Sequence, residues 1–207
     1  ASYAVSCPSG VGVLVTIGTG VICIGRNELQ KICRVAGEGH DHGDMGSGFW
    51  IGKKAIMEMA LNESSVKGDV DLSQLMTHVL DKFESSDFNL AIEETMESED
   101  SVPIIASLAE GIIELAASGN EMALGIIQEG SSTIGEYILQ LVHDLELSVN
   151  KGSIILAGNG SVIRNDFYRK TLNDALQFDF PNIKWTFSGI SNAYGAGLLA
   201  GRLHDVD

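Results

Sequence analysis

The sequence predicts an α/β fold with a mixed sheet. Three observations carry that reading. Three short apolar, β-branched runs come first, separated only by turns, as in an antiparallel meander. A long block of helical periodicity follows. The chain then alternates strand, helix, strand and helix, an order that joins parallel strands.

Taken in order, VGVLVTIG (11–18) is a β-branched run ending in glycine and reads as a buried strand. VICIGRN (21–27) and LQKICRV (29–35) are the next two strands, with Arg26, Asn27 and Glu28 turning between them. The glycine-rich stretch GEGHDHGDMGSG (37–48) suits neither helix nor strand. FWIGKKAIMEMAL (49–61) and VDLSQLMTHVLDKF (70–83) have helical spacing, the second with Asp71 as its expected N-cap. Residues 84–100 are acidic and read as exposed helix or loop. SVPIIASLAEGIIELAASG (101–119) is one helix, with Pro103 in its first turn and Gly119 as its stop. Residues 120–147 form a longer helix, whose Gly125, Gly130 and Gly135 suit close packing against a neighbouring helix. GSIILAG (152–158) is a doubly buried strand. A helix over 164–178, a strand over 183–189 and a closing helix over 191–203 complete the chain.

Composition bounds the function. The 207 residues are 44% apolar, enough for a sizeable core, and the net charge is −15. That charge disfavours nucleic acid and anionic membranes, which need a basic face. An acidic protein still binds phosphate where backbone N–H groups do the work. Cys7, Cys23 and Cys33 show no CxxC spacing and read as free thiols of a reducing compartment, the cytoplasm. No uncharged apolar run is long enough to span a bilayer. The opening ASYAVSCPSG lacks an initiator methionine and reads as the middle of a helix, so a fragment of a longer protein is expected.

Three glycine loops follow strands: GTG (18–20), the stretch 37–48, and GNGS (158–161). The glycines of 37–48 suit the close approach of a metal, a phosphate or a sugar. Because ligands of α/β sheets bind at the carboxyl ends of strands, the three loops together point to a phosphate-bearing ligand. The loops match neither the GxxxxGK[ST] phosphate loop nor the GxGxxG dinucleotide fingerprint. A metal would draw on His40, Asp41, His42 and Asp44, but His78, His143 and His204 offer no matching spacing, and no metal ligand set is expected.

The stretch VLVTIGTGVICIGRN…RVAGEGHDHGDMGSGFWIGKKAI resembles the second domain of the N-acetylglucosamine kinases and their relatives in the BadF/BadG/BcrA/BcrD ATPase family. That family lies in the sugar kinase, Hsp70 and actin superfamily, with its ribonuclease H-like fold. Gly18-Thr19-Gly20 stands for the family's GTGS. Gly37, Gly39, Gly43, Asp44, Gly46, Ser47, Trp50, Ile51 and Gly52 match its GGWGxxxGDxGSxxWIG-like loop. ILAGNGSVIRN (155–165) is similar to its adenosine-binding strand and loop, and the resemblance covers nearly the whole chain.

The resemblance implies roles. Gly18, Thr19 and Gly20 would touch the β- and γ-phosphates of ATP. Gly158, Asn159, Gly160 and Ser161 would contact adenosine, with the helix face near Ala116 as the other wall of the cleft. Val21, Gly37, Gly39, His40, Asp41 and Asp44 would face a sugar. The sequence departs from the family's pattern at Val21, which replaces the serine of GTGS, at Glu38, which replaces a tryptophan, and at Met45, which replaces an acidic residue. The family's first phosphate loop and catalytic aspartate are not in the chain, and that aspartate is expected immediately before Ala1.

The resemblance therefore implies one C-terminal kinase domain over 1–207, with a helical insertion near 62–100 and an N-terminal domain absent. It also implies ATP and Mg²⁺ as cofactors, a sugar substrate and a homodimer. The leading reading is an ATP-dependent sugar kinase, inactive as the isolated fragment. An energy-coupling activator ATPase of the same family and a non-catalytic sugar- or nucleotide-binding module are the alternatives.

Overall fold

The computed structural model describes residues 3, 6, 7, 10–39, 44–62, 68–147, 153–189, 193, 195–197 and 200. The expected meander is present. Gly12–Ile17 (β1), Val21–Arg26 (β2) and Ile32–Val35 (β3) pair antiparallel in sequence. Ser153–Asn159 (β4) joins the free edge of β1 in parallel, and Asn182–Phe187 (β5) joins β4 in parallel. The sheet is therefore mixed and five-stranded, in the order β3-β2-β1-β4-β5.

β1 is central, and Val13, Leu14, Val15 and Ile17 are all buried, as an apolar run covered on both faces requires. β2 alternates, with Val21 and Cys23 buried and Ile22 and Ile24 half-buried. β3 is shorter than expected. Asn27 Oδ1 accepts from the Lys31 N–H at 3.0 Å, and this turn delays the strand to Ile32.

The helices are Gly48–Leu61 (α1), Val70–Lys82 (α2), Phe88–Glu97 (α3), Ser101–Ala106 (α4), Ala109–Ala117 (α5), Glu121–Asp144 (α6), Ser161–Arg164 (α7) and Asp166–Leu176 (α8). Several expectations need correction. The N-cap of α2 is Asp69, whose carboxylate accepts from Leu72 N at 3.0 Å, while Asp71 accepts from Glu121 N at the start of α6. The acidic segment 84–100, expected as exposed helix or loop, does contain a largely exposed helix, α3, which buries Phe88, Ala91 and Thr95. The single helix expected over 101–119 breaks at Ser107 and Leu108 into α4 and α5. The helix expected from 164 starts at Asp166, because Asn165 caps it by accepting from the amides of Phe167 and Tyr168. Of the expected closing helix, residues 193, 195–197 and 200 are described and are helical.

The glycines of α6 do not act as a set. A Cβ on Gly130 would lie 2.8 Å from Gly46 Cα and one on Gly135 would touch Leu176 of α8, whereas Gly125 faces open space. The core lies between the sheet and α6, whose Ile127, Ile134, Ile138 and Leu141 are fully buried. Among the described residues no single helix is long and apolar enough to cross a membrane.

Candidate functional site

β1 and β4 are parallel neighbours, so the loops that leave their carboxyl ends emerge together. Gly18-Thr19-Gly20 leads from β1 into β2, and Gly160 and Ser161 lead from β4 into α7. A cleft of about 560 Å³ opens between them, with Gly18, Thr19 and Ser161 in its lining and Ala109 and Ile113 of α5 as a wall.

Local chemistry holds this edge in shape. The Gly18 carbonyl accepts from Gly48 N at 2.7 Å and the Thr19 carbonyl from Phe49 N at 3.1 Å, so the first amides of α1 anchor the loop. Gly18 N donates to Gly20 O across the turn at 3.0 Å. Among the described residues, none accepts from the amides of Thr19 or Gly20, which leaves those donors for an anion. Gly160 has φ +98°, and a Cβ there would collide with the Ile17 carbonyl. Only glycine lets the two loops approach so closely.

The other expected nucleotide contacts differ in placement. Gly158 is buried, and a Cβ on it would overlap the ring of Phe187, its partner on β5. Its lack of a side chain accommodates that ring. Asn159 pairs with Thr16 in the ladder and is half-buried. Ala116 is buried further along α5 and does not line the cleft, whose wall is Ala109 and Ile113 instead. Sequence reasoning missed the lining residues Lys82, Ser107 and Glu110, which no motif marks, and gave no role to Arg164, which lies within the 155–165 stretch.

The expected sugar-facing residues divide. His40 and Asp41 lie outside the described residues, as does His42. Val21 is buried, and it meets the site through its amide, which donates to Asp44 Oδ1 at 3.3 Å. Asp44 is 6% exposed and has φ +53°. A Cβ on Gly20 would lie 2.9 Å from its Oδ2. Asp44 thus ties the long glycine loop to the GTG turn. Gly37 is left-handed at φ +76° and packs on Ile22. Gly39, at φ +93°, faces open space.

The rest of the matched loop has packing reasons. Ser47 Oγ accepts from Trp50 N at 3.1 Å and caps α1. Gly46 sits at φ +81° against Gly130, and its carbonyl accepts from the Tyr168 hydroxyl at 2.8 Å. Burial pushes that phenol above its ordinary range. A Cβ on Gly52 would collide with the Ile105 carbonyl of α4.

Among the described residues no group of three or more His, Cys, Asp or Glu could hold a metal ion. The cleft, with the Thr19 amide unengaged among the described residues and a close approach of Gly18 and Gly160, has room and a donor for a phosphate group.

Comparison with known proteins agrees with this architecture. The model of the BadF/BadG/BcrA/BcrD ATPase family matches residues 4–200. The chain is 30% identical over 194 residues, 91% of its length, to an N-acetylmuramic acid/N-acetylglucosamine kinase of Clostridium acetobutylicum. It is 24% identical over 190 residues to an N-acetyl-D-glucosamine kinase of Dictyostelium discoideum. It spans 60% and 59% of those two proteins. Among solved structures, a candidate N-acetylglucosamine kinase from Chromobacterium violaceum aligns with a TM-score of 0.65 at 22% identity, over 96% of this chain and 62% of that one. Its counterpart from Porphyromonas gingivalis aligns with a TM-score of 0.61 at 17% identity, over 89% of this chain and 60% of that one. These two likenesses show that the chain shares their fold.

Proposed function

We propose a function from one premise: the chain belongs to the BadF/BadG/BcrA/BcrD ATPase family. The reading is an ATP-dependent kinase that phosphorylates N-acetylglucosamine, N-acetylmuramic acid or a related amino sugar or hexose. In this reading the chain is the C-terminal domain of a larger cytoplasmic, homodimeric protein, and the helices near 62–100 are an insertion in it. The observation that carries it is the meeting of the Gly18–Gly20 turn and the Gly160–Ser161 turn at one cleft.

The chemistry would be phosphoryl transfer. A sugar hydroxyl oxygen bonds to the γ-phosphorus as the bond to the β–γ bridging oxygen breaks, and ADP leaves. The hydroxyl proton passes to a base in the rest of the protein. Thr19 and the amides of the GTG turn would hold the β- and γ-phosphates, and Gly160 and Ser161 would face the nucleoside. Asp44 would keep the turn in register with the sugar loop, with the open Gly39 backbone toward the sugar. Mg²⁺, when bound, would neutralise phosphate charge, held by phosphate oxygens and water.

Incubation of the whole protein with ATP, Mg²⁺ and each candidate sugar tests the reading. One sugar phosphate per ADP is expected, and the 207-residue chain alone should form none. ADP released at the same rate with and without every sugar would overturn the kinase reading in favour of a plain ATPase.

A further inference from the structure

Two cations and one carboxylate stand among the described residues that line the cleft: Lys82, Arg164 and Glu110. The cleft is therefore net cationic in a chain of net charge −15. Arg164 is already engaged, donating to the Ser188 carbonyl at 3.2 Å with its guanidinium 5.2 Å from the Phe187 ring centre. Lys82 is different. It takes part in no ion pair or hydrogen bond among the described residues, as is also true of Lys184, which does not line the cleft, whereas the lysines at 54 and 170 pair with carboxylates.

The place of Lys82 is set by packing. It is the last residue of α2, a helix that buries Leu72, Leu75 and Val79 completely. One turn before it, the His78 ring donates through Nε2 to the Leu108 carbonyl at 3.1 Å. That ring fills the space left by Gly111, where a Cβ would overlap it. His78 and Lys82 are four residues apart and share a helix face. The bond that pins His78 to the start of α5 therefore brings the end of α2 beside the cleft, where the exposed Lys82 is one of the lining residues.

We propose that Lys82 contacts the phosphate chain of the nucleotide, so that the segment between α1 and α4 adds a cation to the backbone amides of the GTG turn. The inference rests on the nucleotide reading of that cleft. An ammonium suits the role because it acts as a point charge toward phosphate oxygens at the end of a flexible stem.

Calorimetric titration of the whole protein with ATP, ADP and adenosine tests it, using Lys82→Gln and Lys82→Arg. Lys82→Gln should raise the dissociation constants of ATP and ADP about tenfold. Its adenosine affinity and thermal midpoint should match wild type. Lys82→Arg should hold ATP affinity within about twofold, since it keeps the charge. Wild-type ATP affinity in Lys82→Gln would overturn the inference alone and make Lys82 a solvated helix-end charge. Equal loss for ATP and adenosine would overturn it too, as a general distortion. A wild-type protein that binds neither ATP nor adenosine would overturn the nucleotide reading itself.

Discussion

Asp44 shows how one residue serves two loops. The family resemblance made it a candidate sugar ligand, a role that suits a carboxylate because it accepts bonds from hydroxyls. In the fold its Oδ1 accepts from Val21 N and its other oxygen lies against Gly20. Its left-handed backbone is one that aspartate tolerates better than most residues. Asp44→Ala leaves the Val21 amide buried without that partner, and should cost about 1–3 kcal/mol of stability. Asp44→Asn keeps an acceptor and should cost less. Urea unfolding of the three proteins checks this, and an alanine variant as stable as wild type would remove Asp44 as a brace. The spacing GD-x-GS made Asp44 legible as important. Its burial and its partner depend on a loop returning beside β2, which no local pattern reports.

At the scale of elements, the helices were legible from periodicity and their joints were not. The pin between α2 and α5 is the clearest case. Gly111 sits in a helix interior, where alanine is favoured by about 1 kcal/mol. Its missing Cβ makes room for His78, which lies 33 positions earlier. Gly111→Ala should therefore destabilise the protein despite the gain in helix propensity. In the His78→Ala background the same change should stabilise it by about 1 kcal/mol. A double-mutant cycle from urea midpoints checks the reversal of sign, and additive effects would mean that the ring does not occupy that space. The break between α4 and α5 and the cap at Asp69 were missed for a related reason. Several residues near each boundary can end or cap a helix, and packing selects among them.

At the scale of the molecule, the buried centre of the sheet carries a stability signature. Cys23 on β2 is fully buried, and desolvation pushes its thiol from 9.0 up to about 12. The unfolded thiol loses its proton near its ordinary value while the native thiol keeps it. The contribution is thus fully present below about pH 9 and is lost as pH rises toward about 12, by up to about 1.4 kcal/mol per pH unit. Urea midpoints at pH 8 and pH 10 should fall further for wild type than for Cys23→Ala. Equal falls would show that Cys23 does not drive the alkaline loss.

The sequence by itself determined the strands, most helices, the mixed sheet and the family, because β-branched runs, helical spacing and the GD-x-GS-x-x-WIG motif are local properties of the chain. It also singled out Gly18 and Thr19, which line the cleft, and Gly160, which lies against Ile17 and Gly18 beside it. Only the tertiary structure decided that Gly158 makes room for Phe187, that Ala109 and Ile113 rather than Ala116 wall the cleft, and that Lys82 reaches it. Those facts depend on which distant elements meet, and contact between residues far apart in sequence leaves no periodicity to read.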